Sequence, residues 1–246
     1  MKRFFQTEWQ GIQFSGLATL SETELAGTKF YNAFYRELFR RYAGYDDMDL
    51  SWRRSKKELA DWIAAQLRSS ARVLSVGCGL GYMESCLHRE HGAELELHVS
   101  DYASEALDWL RHEFPEERIH LFGGGNDERY DLIYLSAVDY AVPTNDMIDL
   151  LVEQRSRLVP SGACLMISAS YLEEDVPVPE RIKVVVKHAV KALLSAAGLY
   201  HRGQFWGWMR TRSEYRELMR EAGYSQVEDG FIETSNQRTY FIKGRV

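Results

Sequence analysis

Val73-Leu74-Ser75-Val76-Gly77-Cys78-Gly79-Leu80-Gly81 is the stretch that decides the fold. A short strand over Arg72–Val76 ends at three glycines, and a helix over Glu84–Arg89 or beyond follows them. Glycine at such a handover permits positive φ and lets the backbone approach a ligand closely. The helix N-terminus that follows offers unpaired N–H groups. Asp101 stands about 20 residues beyond Gly81, at the end of the next strand, where a carboxylate can accept hydrogen bonds from both hydroxyls of a ribose.

The glycine spacing is G-x-G-x-G with Tyr82 next, one residue short of the dinucleotide pattern G-x-G-x-x-G. A pyrophosphate gains from the extra turn of open backbone. A methionine-bearing nucleoside has no phosphate and does not need it.

Outward from the turn, strand and helix alternate. Glu94–Ser100, Ile119–Phe122, Tyr130–Ser136 and Ala163–Ser168 read as strands. Ser104–Phe114 and Asp146–Leu158 read as helices, and Pro160-Ser161-Gly162 as a turn. Such alternation implies a parallel sheet with right-handed crossovers. Toward the C-terminus, Glu180–Ala197 and Ser213–Ala222 are expected as helices. Val227–Glu233 and Arg238–Lys243 are expected as a closing antiparallel hairpin.

Residues 1–70 differ in character. Phe30, Phe34 and Leu38 recur every four residues, as do Tyr31, Tyr35 and Phe39, giving one broad apolar helix face. Ser21 with Glu24 resembles a capping box opening this helix or the turn before it. A second helix is expected over Ser55–Leu67, with Leu59, Trp62, Ile63 and Leu67 on one side.

Composition narrows the function. The 246 residues are 45% hydrophobic and 27% charged, an ordinary globular balance with room for one or two domains. A formal net charge of −6 lacks the field of a non-specific nucleic-acid binder. Cys78, Cys86 and Cys164 are odd in number and scattered, which argues for reduced thiols rather than a disulfide framework. No Cys/His group has zinc-finger spacing, so no metal site is expected. The start Met1-Lys2-Arg3-Phe4-Phe5-Gln6-Thr7-Glu8 is neither a signal peptide nor an anchor, and no window has the length of a membrane span. The expected location is the cytoplasm.

With these residues in view, the chain resembles the class I S-adenosylmethionine-dependent methyltransferases. Val73–Gly81 resembles their first motif and Asp101-Tyr102-Ala103-Ser104 the acidic motif after it. Tyr130–Ser136 resembles the fourth strand, Leu158–Leu165 the turn into the fifth, and Glu221-Ala222-Gly223-Tyr224 the turn into the last hairpin. The likeness spans roughly residues 71–246. It implies a doubly wound, mostly parallel seven-stranded α/β sheet with an antiparallel C-terminal hairpin, an N-terminal helical cap over residues 1–70, and a helical insertion (about residues 171–212) before the last helix. It implies S-adenosylmethionine as cofactor, held by Gly77, Cys78, Gly79, Gly81, Asp101, Tyr102 and Ser136, with Tyr31 from the cap. There are two departures. Ser75 stands where the family usually has an acid, so the contact to the methionine end is weakened or supplied elsewhere. The adenine-holding segment is Phe122-Gly123-Gly124-Gly125-Asn126-Asp127, where Asn126, Asp127 or backbone carbonyls can serve.

The acceptor is expected beyond the fourth strand, beside Ser136-Ala137-Val138-Asp139-Tyr140. Asp139 or Tyr140 there can orient an acceptor hydroxyl or take its proton. His201 is a third candidate base, and Arg202 and Trp206 from the same segment are candidate substrate contacts. Tyr35, with Trp9 and Tyr31, is expected in a lid over the cofactor. Arg181, Lys183, Lys187 and Lys191 suit an anionic acceptor if they face the cleft. The reading is methyl transfer to an oxygen or nitrogen of a small molecule, by a monomer or homodimer. The rivals are a cofactor-binding protein of this fold without catalysis and an NAD(P)-dependent enzyme.

Overall fold

The computed structural model describes residues 2–122, 128–173 and 202–246. Its centre is a seven-stranded sheet. β4 (Ala71–Val76), β5 (Leu95–Asp101), β6 (Ile119–Leu121), β7 (Tyr130–Ser136) and β8 (Leu158–Ile167) run parallel. β10 (Gln226–Glu233) and β11 (Arg238–Arg245) form the antiparallel hairpin that docks on β8. The strand order is β10-β11-β8-β7-β4-β5-β6. The order turns back at β4, so the crevice over its carboxyl end is where a ligand enters such a sheet.

Both faces are covered, which is why the central strands read as nearly unbroken apolar runs. On one face α2 (Leu50–Ala64) and α3 (Tyr82–His91) set Leu59, Ile63, Met83 and Leu87 against Val73, Leu97 and Tyr134. On the other, α4 (Thr144–Ser156) and α5 (Arg212–Glu221) set Met147, Leu151, Tyr215 and Leu218 against Leu74, Ile133 and Met166. A third cluster lies off the sheet. There α1 (Thr28–Arg41) buries Phe30, Tyr31, Phe34, Tyr35 and Leu38 against Phe14, Leu80 and Trp206.

Several expectations change. The N-terminal segment is not purely helical: β1 (Lys2–Gln6) pairs antiparallel with β9 (Gln204–Met209), and β2 (Glu8–Trp9) with β3 (Ile12–Gln13). The run Gln204–Met209, inside the insertion expected to be helical, is therefore a strand; Phe205 and Trp206 are buried while the ladder satisfies the backbone. Ser21 accepts from the Glu24 backbone N–H at 2.9 Å, so it caps the turn before α1 and not the helix itself. α2 opens at Leu50 because Asp49 caps it through the Trp52 N–H at 2.8 Å. Ser104–Phe114 forms 3-10 turns at Ser104–Leu107 and Leu110–His112 instead of one helix. Apolar residues three and four apart suit either, so the pattern alone could not separate them. Pro160–Gly162 is a bulge inside β8, where the pairing slips between Tyr130↔Leu158 and Leu132↔Ala163. The helix expected over Glu180–Ala197 lies outside the described residues.

One buried knot fixes the segment after β7. Asp139, only 2% exposed, accepts hydrogen bonds from Ser168 Oγ at 2.7 Å, Ser170 Oγ at 2.8 Å and the Tyr215 hydroxyl. Arg210, 1% exposed, donates to the carbonyls of Asp139 and of Val142, the latter at 2.6 Å. The knot ties the end of β7 to the end of β8, to α5 and to the residue after β9. Removing a buried carboxylate that three hydroxyls serve leaves those donors unsatisfied. We expect Asp139→Ala to lower unfolding free energy by about 2–4 kcal/mol in urea titration, and Tyr215→Phe by about 1 kcal/mol. A change in Asp139→Ala within about 0.5 kcal/mol of zero, the range of ordinary surface substitutions, would show that the knot does not hold this corner.

Candidate active site

Over the carboxyl ends of β7, β4 and β5, and under the N-terminal segment, lies a cavity of about 780 Å³. That is within the range of about 300–1,000 Å³ for ligand sites, toward its upper end. The glycine turn forms its floor. Gly77, Gly79 and Gly81 all sit at left-handed φ, at 70°, 57° and 72°. At Gly77 a side chain is excluded twice over, because a Cβ would also lie 2.4 Å from Val138 Cγ2. The turn is pinned from below by the Gly77 and Cys78 N–H groups, which donate to the Ser100 carbonyl at 2.8 and 3.0 Å.

Asp101 defines one end of the cavity. One carboxylate oxygen accepts from the Gly79 N–H and the other from the Ala103 N–H, each at 2.8 Å. Burial raises its pKa and these backbone donors oppose the rise. A carboxylate has about four acceptor positions, so each oxygen keeps capacity for a ligand hydroxyl. Tyr102 and Phe122, 42% and 44% exposed, also line this end and offer flat faces.

At the other end stand two charged residues that the sequence reading missed, Glu84 and Lys56. Glu84 Oε1 accepts from Ser75 Oγ at 2.7 Å and from the Tyr134 hydroxyl at 2.9 Å. Ser75 is not part of the cavity lining; it holds an acid, supplied by α3, that is. Lys56 reaches in from α2, its Nζ 3.5 Å from Ser136 Oγ at the end of β7. Burial raises the Glu84 pKa and lowers that of Lys56, and each residue's charge partly opposes the other's shift. A signal existed for Lys56: it falls three residues before Leu59 and seven before Ile63, a charge on the apolar face of its helix. Glu84 lies among Met83, Ser85, Cys86 and Leu87, all buried, a setting in which an acid is found only when it is paired.

The walls are aromatic. Trp206 stacks on Phe14 (4.8 Å, 23°) and faces Tyr140 in a parallel arrangement (5.9 Å, 15°). Tyr31, Tyr35, Phe4 and Trp9 complete the cover. Among the described residues the buried Tyr31 hydroxyl has no hydrogen-bond partner of good geometry, and the Tyr140 hydroxyl is a polar neighbour. Burial pushes the Tyr140 phenol up to about 12, so it is neutral at ordinary pH. Gly207, at φ 148°, lets β9 cross closely over Tyr140: a Cβ there would meet the Tyr140 carbonyl at 1.8 Å.

Of the residues singled out from sequence, the cavity brings together Gly77, Cys78, Gly79, Gly81, Asp101, Tyr102, Ser136, Tyr31, Tyr35, Tyr140 and Trp206. It does not bring in Asp139, whose carboxylate is turned into the knot behind β7 and β8. Nor does it bring in Arg202. That residue's backbone N–H donates to Glu22 Oε1 at 2.7 Å, and its guanidinium lies over the Phe5 ring at 5.6 Å, outside the cavity lining. Asn126, Asp127 and His201 lie outside the described residues, as do Arg181, Lys183, Lys187 and Lys191.

A family model described as "Methyltransferase domain" matches residues 48–229. No curated protein sequence matches significantly. Among solved structures, the fold is similar to magnesium protoporphyrin IX methyltransferase from Synechocystis PCC 6803 with bound S-adenosylhomocysteine (TM-score 0.59, 14% identity, 89% of this chain and 96% of that one). It is also similar to PigF with the same ligand (0.56, 18%, 89% and 60%) and to the mitomycin 7-O-methyltransferase MmcR (0.54, 16%, 86% and 57%). The chain thus spans about three fifths of the length of the latter two. The family match covers most of the sequence, and the seven-stranded sheet with its glycine turn agrees with it: the chain belongs to the methyltransferase-domain family.

Proposed function

We propose that the protein transfers a methyl group from S-adenosylmethionine to an oxygen or nitrogen of a small, largely apolar acceptor. The observation that carries this reading is the pairing of features at the two ends of one cavity. Asp101, already oriented by two backbone N–H groups, suits a ribose. Glu84, buried, and Lys56, partly buried, are opposite charges that suit the ammonium and carboxylate of an amino acid. The cofactor, when bound, supplies an electrophilic methyl on a sulfonium.

The chain's own groups supply position and dryness. Tyr31, Tyr140 and Trp206 wall the space beyond the glycine turn and exclude water from it. Holding the acceptor in line can contribute roughly 7–11 kcal/mol to such a reaction. Tyr140, being neutral, orients an acceptor by a hydrogen bond and does not abstract its proton. The aromatic walls favour a flat, apolar acceptor. An anionic one would draw on the basic residues 181–191, which lie outside the described residues.

The acidic balance, three free thiols and the lack, among the described residues, of any helix long and apolar enough to cross a membrane support a cytoplasmic enzyme without a nucleic-acid partner. A monomer or homodimer suits it.

Titration with S-adenosylhomocysteine tests the cofactor end. Losing a hydrogen bond to a charged group costs about 1.5–3 kcal/mol, so Lys56→Met should weaken binding roughly 10- to 100-fold. The sign of the pH effect follows from burial. Protonated Lys56 is the form that holds a carboxylate, and its pKa is lowered, so wild-type affinity falls as pH rises, beginning below the ordinary lysine range. Lys56→Met should lack that slope; an unchanged slope would remove Lys56 from the site. For the acceptor end, product mass spectrometry across phenols, hydroxyquinones and aromatic amines should detect transfer. Tyr140→Phe should lower kcat by less than about tenfold, as loss of one neutral hydrogen bond, with S-adenosylhomocysteine affinity unchanged. Tight S-adenosylhomocysteine binding with no transfer to any acceptor would contradict the enzymatic reading.

A further inference from the structure

Away from the cavity, on the β5–β6 edge of the sheet, two imidazoles and a carboxylate converge. His98 is central in β5 and 2% exposed; His120 is central in β6; Glu128 lies just before β7. One ligand atom from each lies within 4.8 Å of the other two. His98 Nδ1 is 3.0 Å from His120 Nε2 and 3.3 Å from Glu128 Oε2, with the two rings in nearly parallel planes (4°). From these positions we propose that His98, His120 and Glu128 bind one divalent transition-metal ion of the zinc class.

Three features separate this cluster from a chance meeting of polar groups. The first is spacing. Two nitrogens about 2.0–2.1 Å from a tetrahedral zinc stand roughly 3.3 Å apart, so the observed separations need only small ring tilts. His120, partly buried at the sheet edge, has room to tilt. The second is tautomer control. His98 Nε2 is 3.1 Å from Glu96 Oε1, and Arg72 anchors the same oxygen at 3.0 Å. A carboxylate taking the Nε2–H leaves the Nδ1 lone pair for a metal, the outer arrangement that metal-bound histidines usually have. The third is support for the carboxylate: the Tyr130 hydroxyl donates to Glu128 Oε2 at 2.8 Å. Two imidazoles with one carboxylate leave a fourth position for water, and imidazole suits zinc, nickel and copper over magnesium or calcium.

A second group, Asp61, Glu90 and His91, also has metal-like proximity. Lys57 already bridges it, with Nζ 3.0 Å from Asp61 and 2.8 Å from Glu90. Asp61 and Glu90 thus already have a cation, so this group is the internal control. The His98 site would clamp the three-residue strand β6 onto β5 and onto the approach to β7. It is invisible in the sequence because His98 and His120 are brought together by parallel pairing, in the register Ser100↔His120, and not by local spacing.

The test uses the untagged full chain, stripped with EDTA. Zn²⁺ titration calorimetry and Co²⁺ visible absorption should show one metal per chain, with the intense bands of a four-coordinate cobalt. His120→Ala, at the partly exposed edge where folding is least at risk, should weaken Zn²⁺ binding by more than the roughly 10- to 100-fold expected of an outer-shell change, and Glu96→Gln by about that amount. His91→Ala should leave binding unchanged, and circular dichroism should show each variant folded. Wild-type protein that takes up no Zn²⁺, or that binds it equally after His120→Ala, would overturn the proposal.

Discussion

The Asp101 carboxylate, held between the Gly79 and Ala103 N–H groups, is the constraint on which the site rests. It welds the turn after β4 to the end of β5. The glycine turn, with three residues at positive φ, is costly to order, since glycine loses the most backbone freedom on folding, and Asp101 adds its bond at Gly79 to those that Gly77 and Cys78 make with the Ser100 carbonyl. The weld also aims Asp101 itself. A buried carboxylate is costly unless it is well served by donors, and here two backbone N–H groups oppose the cost while leaving acceptor capacity toward the cavity. The same two bonds therefore shape the floor and fix the direction of a carboxylate that lines the cavity.

The turn is in contact with a second fixed point. Val138 lies so close over Gly77 that no side chain fits there. Val138 precedes Asp139, whose bonds to Ser168, Ser170 and Tyr215, together with the Arg210 guanidinium, lock residues 138–142 in place. From that locked segment the Tyr140 carbonyl accepts the Trp208 N–H at 2.9 Å, which brings in β9. β9 in turn pairs with β1 and carries Trp206 into the core of the N-terminal segment. The aromatic cover is thereby connected to the sheet through one chain of buried polar contacts, and its position over the glycine turn is set by packing rather than by a free hinge.

Legibility in the sequence follows the range of the interactions. Strands β4, β5 and β7, the hairpin and the helices α1, α3, α4 and α5 declare themselves because each buries its own periodic face. The glycine turn and Asp101 are legible for a similar reason, since the βαβ unit places them at fixed chain distances. What escaped depends on partners distant in sequence. β1 and β9 pair across some 200 residues, and neither carries a strong strand pattern. Asp139 was legible as a polar residue at the right strand end, but its direction is set by Ser168 and Tyr215, about 30 and 76 residues on. The missing acid at Ser75 was legible as an absence. Its replacement was not, because only the fold shows Glu84 coming back over Ser75.

That replacement alters how the cavity is tuned. An acid on a strand would be held by its own backbone. Glu84 instead sits in the first turn of α3, where the helix dipole favours a negative charge, and two hydroxyls from neighbouring strands fix the same oxygen. Burial works against its charge and against that of Lys56 at once. Each is thus less stable alone than with a counter-charge, and a ligand bearing both an ammonium and a carboxylate offsets both penalties together. A ligand bearing only one would offset only one of the two penalties. On the proposed reading the pair favours a zwitterion, a form of specificity that the glycine turn, sterically permissive and uncharged, cannot provide by itself.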